Sequence, residues 1–206
     1  MNHPKRLLAL GDSYTIGEAV AEHERWPAQF VSMLRLIGVE FAAPEIIATT
    51  GWTTGELIEA IEKNHPQGPY DMVSLLIGVN NQYRGYSLED YKIEFEVLLK
   101  KAIAFADRDF NKVIVVSIPD WGVTPFASDR DGNKIAKEID AFNTENKAIA
   151  SLYGVDYIDI TDHSRKAGFN QELTASDTLH PSGVMYQYWA ELISRWYRLK
   201  HTKTAD

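Results

Sequence analysis

The sequence predicts an α/β fold with three layers, α/β/α, around a five-stranded parallel sheet. Three observations predict it. Short apolar runs without alternation read as strands buried on both faces. Segments of three-and-four spacing separate these runs, so strand and helix alternate five times. The chain has 206 residues, of which 45% are hydrophobic and 24% charged. That is ordinary globular composition and enough for one full core, so residues 1–206 read as one domain. Right-handed crossovers favour a doubly wound sheet in the flavodoxin-like order 2-1-3-4-5. Its switch point lies beside the first strand.

The first run, Leu7 to Leu10, stops at Gly11, where a glycine lets the chain turn and lets other groups approach closely. Asp12 and Ser13 follow in a polar turn ending at Gly17. Glu24 to Ile37 reads as a helix, because Trp26, Phe30, Met33, Leu34 and Ile37 share one face and Gly38 ends it. Glu45 to Ala48 is a strand and Thr49 to Trp52 a turn. Thr53 and Glu56 form a capping box for a helix reaching Lys63. A Pro/Gly loop leads to the strand Met72 to Ile77, stopped by Gly78; Asn80, Asn81 and Gly85 lie in the loop after it. Ser87 caps a helix to Ala106, and the β-branched run Lys112 to Ile118 is a strand. A long loop, Pro119 to Asn133, precedes a helix from Ile135 to Tyr153. The strand Val155 to Ile158, an extended loop over 159–181 and a closing helix from Gly183 to Lys200 complete the chain, whose last six residues should fray.

Composition excludes several functions. With no cysteine, disulfides, thiolate metal sites and cysteine nucleophiles are out. A formal net charge of -8 and no basic face argue against nucleic acid or an anionic membrane surface as partner. No apolar run approaches the length of a membrane span. The run after Lys5 and Arg6 is too short for a signal-peptide core, and the expected location is cytoplasmic.

Four turns should meet at the carboxyl edge of the sheet, where such folds hold ligands. They bear Ser13, Gly51, Gly78 to Asn81, and the block Ser176 to Pro181. A serine at a strand end is a candidate nucleophile and equally a helix cap. In Asp177-x-x-His180 the carboxylate can curl back to orient the ring, leaving its other nitrogen facing a nucleophile. Gly51 offers a backbone N–H and Asn80 an amide N–H, uncharged donors suited to an oxyanion hole. The nucleophile elbow of α/β-hydrolases needs glycine two residues either side of the serine; Gly11 fits, but Thr15 stands on the other side.

The blocks Gly11-Asp12-Ser13, Gly51, Gly78-Val79-Asn80 and Asp177-Thr178-Leu179-His180 occur in order over nearly the whole chain. Together they resemble the SGNH hydrolases, the GDSL esterase/lipase family. The resemblance implies a serine esterase with Ser13 as nucleophile, His180 as general base and Asp177 orienting it. It also implies an oxyanion hole of the Ser13 and Gly51 N–H groups and the Asn80 side chain, with no cofactor or metal. Two positions depart from the family pattern: Tyr14 replaces the usual leucine, and Asn81 the usual aspartate. Tyr14 and Asn81, with Trp121 and Phe126 of the long loop, are candidate substrate-binding residues. The two loop aromatics could equally cover the sheet edge.

Other features read more simply. Asp12 is a structural turn residue rather than a second catalytic acid. Asp129-x-Asp131-Gly132-Asn133 lacks the distant glutamate of a calcium loop and reads as a turn. Asp159, Asp162 and His163 fit no metal-ligand spacing. His3, His23, His65 and His201 read as surface residues. The expected substrate is a small or short-chain acyl ester: a carboxylic ester, an acetylated sugar or a lysophospholipid. Two other readings are a flavin- or phosphate-binding module using Ser13, Tyr14, Thr15 and Gly17, and a catalytically silent relative that binds glycans or lipids.

Overall fold

The structure is a computed structural model and describes residues 3–201; of the last six residues, expected to fray, His201 instead ends the closing helix and 202–206 lie outside the described residues. Five parallel strands form one sheet: β1 (Leu7–Gly11), β2 (Glu45–Ala48), β3 (Met72–Leu76), β4 (Val113–Val116) and β5 (Asp156–Ile158). Their order is β2-β1-β3-β4-β5, as expected. All residues of β1, β3 and β4 are buried, which explains their unbroken apolar runs. Gly11 pairs with Ala48 on one side and Leu76 on the other. A Cβ there would run into the Thr15 side chain and the Leu76 carbonyl, so the glycine is required by close packing rather than by a turn.

The helices, in chain order, are α1 (Ser13–Ile16), α2 (Trp26–Leu36), α3 (Thr54–Asn64), α4 (Val79–Tyr83), α5 (Leu88–Phe105), α6 (Gly132–Leu152), α7 (Thr161–Ser164) and α8 (Gly183–His201). The step from β1 to β2 runs one way along the sheet, and the later steps run the other way. Right-handed crossovers therefore put α2 on one face and α3, α5 and α6 on the opposite one. α8 packs along α2 and shares its face. Phe30 of α2 and Tyr197 of α8 meet Phe41 and each other edge to face, at centroid distances of 5.5–5.9 Å. Among the described residues no helix is long and apolar enough to cross a membrane.

Several expected loops contain short helices. The polar turn after β1 is α1, and the loop after β3 begins as α4. The loop after β4 holds two 3₁₀ turns, Trp121–Val123 and Pro125–Ala127. The 159–181 segment contains α7 and two further 3₁₀ turns rather than running extended. α2 starts two residues later than expected, after a separate 3₁₀ turn over Glu22–Glu24. α6 starts three residues earlier, because Asp131 caps it by accepting from the Lys134 N–H at 3.0 Å; this uses up the calcium-loop-like run. His201 is half-buried against Trp196 and Tyr197 rather than on the surface.

Candidate active site

Ser13 opens α1 at the carboxyl end of β1, where the first N–H groups of a helix have no partner within the helix. Asp12 caps that helix, accepting from the Tyr14 N–H at 3.0 Å. The Asp12 carboxyl is buried, and burial pushes it up to about 7 despite the nearby Tyr14, Gly78 and Asp12 N–H groups. Ser13 lines a cleft of about 220 Å³ together with Tyr14, Val79, Asn80, Tyr83, Trp121, Phe126, Leu179 and His180. A wider groove of about 590 Å³ between α2 and α8 contains none of the sequence motifs.

His180 and Asp177 form a tight pair, with Nδ1 2.5 Å from Oδ2. Asp177 Oδ1 accepts from the Leu179 and His180 N–H groups, each at 3.0 Å. The chain curls back so sharply because Thr178 adopts a left-handed conformation, φ 65°. A β-branched residue rarely does so, and such strain persists where surrounding contacts enforce it. Here they are the Ala175 N–H on the His180 carbonyl (2.7 Å) and the Phe126 N–H on the Thr178 carbonyl (3.2 Å). Burial alone would raise the Asp177 carboxyl, but the His180 ring and the two N–H groups hold it below its ordinary value. His180 thus has one nitrogen fixed by an ionised carboxylate. Its ring lies in the cleft wall with Ser13, although no hydrogen bond joins the two among the described residues. Catalytic hydrogen bonds are often long in unliganded enzymes.

Gly51 has φ +88° in the turn closed by the Trp52 N–H on the Thr49 carbonyl, 3.2 Å. Thr50 is not among the positive-φ residues, so the turn is type II with glycine at its third position. Among the described residues the Gly51 N–H meets no acceptor. Asn80, on α4, donates one amide N–H to the Trp52 carbonyl at 3.0 Å, which leaves its second for the cleft. Gly51 does not line the cleft wall; it stands next to Trp52, the residue Asn80 holds.

Asn81 does not face the cleft. It is buried, accepts from the Thr54 N–H (3.1 Å) and donates to Thr54 Oγ1 (2.7 Å), fixing α4 to the start of α3. The Thr54 hydroxyl in turn donates to Glu94. Tyr14 does line the cleft, with its ring 5.5 Å from that of His180. Burial, reinforced by nearby carboxylates, raises its phenol far above the ordinary value, so it stays neutral. Thr15 is fully buried and does not line the cleft, which takes one residue away from the phosphate-cradle reading. Trp121 is a buried wall residue, held by its Nε1–H on Gln82 Oε1 at 2.8 Å; Phe126 is half exposed at the mouth. Sequence reasoning missed Tyr83, Leu179 and Arg130. Tyr83 packs edge-on to Trp121, and Arg130 lies over the Tyr83, Trp121 and Phe126 rings at 5.2–5.9 Å. Only the helical pitch of α4 puts Tyr83 on the cleft. Among the described residues no group of three or more His, Cys, Asp or Glu could hold a metal ion.

The fold is shared with known enzymes. TesA superposes with a TM-score of 0.76 at 17% identity, covering 95% of this chain and 99% of that one. The lipase/acylhydrolase from Enterococcus faecalis gives 0.70 at 21% identity, covering 98% and 100%. A mutant of Axe2, an acetyl-xylooligosaccharide esterase from Geobacillus stearmophilus, gives 0.71 at 17% identity, covering 99% and 97%. No curated protein matches the sequence significantly. The model of the GDSL-like lipase/acylhydrolase family matches residues 9–188, a span that includes all four sequence blocks. The chain therefore belongs to the GDSL-like lipase/acylhydrolase family and is an SGNH-type hydrolase.

Proposed function

We propose that this chain is a serine ester hydrolase that acts through an acyl-enzyme on small or short-chain acyl esters. The observation that carries the reading is His180, held by Asp177 at 2.5 Å and set in the same cleft wall as Ser13 and Asn80. Ser13 Oγ attacks the ester carbonyl while His180 Nε2 takes its proton. Asp177, which stays ionised, holds Nδ1–H and favours the imidazolium. The second Asn80 N–H, the Gly51 N–H and the Ser13 N–H receive the negative oxygen as the tetrahedral centre forms. The carbon–oxygen bond then breaks, and His180 protonates the departing alcohol. A water, activated by the same imidazole, releases the acid and restores Ser13.

Cleft size supports a small acyl group. At about 220 Å³ it falls below the ~300–1,000 Å³ of sites for drug-sized ligands. Val79, Tyr83, Trp121, Phe126 and Leu179 give it apolar walls. Arg130 and the half-exposed Phe126 end those walls at the mouth. Acyl chains beyond the short range would project past them into water and lose the ~0.8 kcal/mol per methylene that burial gives.

The test pairs a mutation with a substrate series. Ser13→Ala should remain folded and lose about 10⁴-fold or more in kcat on p-nitrophenyl acetate. A fluorophosphonate should label Ser13 alone. Across p-nitrophenyl esters and an acetylated-sugar panel, acetyl to butyryl groups should exceed decanoyl in kcat/KM. Labelling at another serine, with activity kept in Ser13→Ala, would overturn the mechanism; faster turnover of decanoyl esters would overturn the substrate class.

A further inference from the structure

α4 grips the turn that carries Gly51 at two successive carbonyls. Asn80 donates to the Trp52 carbonyl at 3.0 Å, and Arg84 Nη2 donates to the Gly51 carbonyl at 2.6 Å. Residues four apart in a helix share one face, so both grips come from the same side. Arg84 follows the last helical residue, Tyr83, and its own N–H bonds back to the Asn80 carbonyl at 3.0 Å. The guanidinium is itself aimed: Nη1 lies 3.4 Å from Glu56, whose carboxylate closes the capping box at the start of α3 through the Thr53 N–H and hydroxyl. Arg84 covers the outer face of Gly51, with Nη2 3.8 Å from where a Cβ would stand. On the other side of the turn the Thr50 hydroxyl donates to Glu18, beyond the end of α1.

We infer that Arg84 is a positioning residue of the oxyanion hole: its hydrogen bond to the Gly51 carbonyl fixes the Gly51 N–H relative to the Asn80 amide. This rests on the esterase reading above. An oxyanion shared by several donors needs all of them at hydrogen-bond distance at once, and a displacement of about 1 Å in such a group can cost about 10²-fold. A glycine at positive φ has no side chain to steady it. Without Arg84 the Gly51 carbonyl is released on its α4 side, and the turn swings on the Asn80–Trp52 bond. Stability explains the arrangement poorly. Arg84 and Glu56 are 38% and 43% exposed, and exposed ion pairs of this kind contribute little. Asn81 separately ties α4 to α3.

The experiment compares Arg84→Ala, Arg84→Lys, Asn80→Ala and the Arg84→Ala/Asn80→Ala double variant on p-nitrophenyl acetate, with melting temperatures measured in parallel. Arg84→Ala should lose about 10- to 100-fold in kcat, with KM changed less than about threefold and the melting temperature unchanged. Arg84→Lys should recover little, because a point charge cannot span the Gly51 carbonyl and Glu56 together. Added guanidinium should partly restore Arg84→Ala and leave Ser13→Ala inactive. The double variant should lose less than the product of the single losses, since both residues serve one hole. Wild-type kcat in Arg84→Ala while Asn80→Ala is impaired would overturn the positioning role alone. A change confined to KM, or a loss that tracks a fall in melting temperature, would overturn it too. Full activity in Asn80→Ala would instead overturn the oxyanion hole and the esterase mechanism built on it.

Discussion

Replacing Asp12 with asparagine should change how stability depends on pH. The carboxyl is buried; one oxygen accepts from the Tyr14 N–H, and the other meets no partner among the described residues. Burial lifts its pKa from 3.8 to about 7. Between those values the folded chain keeps a proton that the unfolded chain has released. Its contribution to stability is therefore complete below pH 3.8 and is lost as pH rises towards 7. A gap of about three pH units, at about 1.36 kcal/mol each, amounts to about 4 kcal/mol. Asp12→Asn has no such titration. Its stability relative to wild type should rise by about 4 kcal/mol between about pH 4 and about pH 8. In a chain of this size that moves the difference in Tm by roughly 8–16 °C. Urea unfolding of both proteins at each pH, followed by tryptophan fluorescence, measures it, and titrations common to the two cancel. A flat difference curve, or one in which wild type gains towards alkaline pH, would show that Asp12 is ionised in the fold and refute the reasoning.

Further substitutions test two supports of the site. Asn81→Asp puts an acceptor where Thr54 Oγ1 now receives an amide N–H, with Glu94 already taking the hydroxyl proton. It should cost about 1–3 kcal/mol, and Glu94→Gln added to it should recover most of the loss; urea unfolding that shows no recovery would rule the network out. Asp120 has a fully buried carboxylate held by Arg165 Nε at 2.9 Å, directly before Trp121. Arg165→Ala should cost about 3 kcal/mol by stranding that charge, and Asp120→Asn combined with Arg165→Met should cost less. Calorimetry giving the double variant the larger loss would contradict this.

Strands and long helices were legible because each is set by a repeated local pattern. Apolar runs marked β1, β3 and β4, and the Thr53–Glu56 box marked the start of α3 to within one residue. α1 and α4 were not legible, since four or five residues are too few to show a helical period. That error had a consequence. With α4 read as loop, only the Gly78-Val79-Asn80 block of the family resemblance separates Asn80, facing the cleft, from Asn81, facing α3, and nothing puts Tyr83 and Arg84 near the site. Strand ends and glycine blocks showed which turns would meet; helical pitch decided which side chains they present. The left-handed Thr178 was likewise illegible, because contacts distant in sequence enforce it.

The same contacts link binding to chemistry. In the mechanism proposed above His180 is the base, and the Asp177–His180 block that carries it lies on a loop, yet it must be placed as accurately as a residue on a strand. Three backbone ties make up for the missing strand. Ala175 donates to the His180 carbonyl, Thr174 pairs with Pro181, and Phe126 donates to the Thr178 carbonyl. The third tie comes from the wall of the cleft that Ser13 lines. Phe126 sits in a 3₁₀ turn whose predecessor carries Trp121, and Trp121 is anchored through Gln82 to Glu138 of α6. A change that enlarges the cleft at Trp121 or Phe126 therefore also loosens the peptide that bends Asp177 towards His180. Widening this pocket for longer acyl chains should lower kcat for short ones as well, because wall and base share one support.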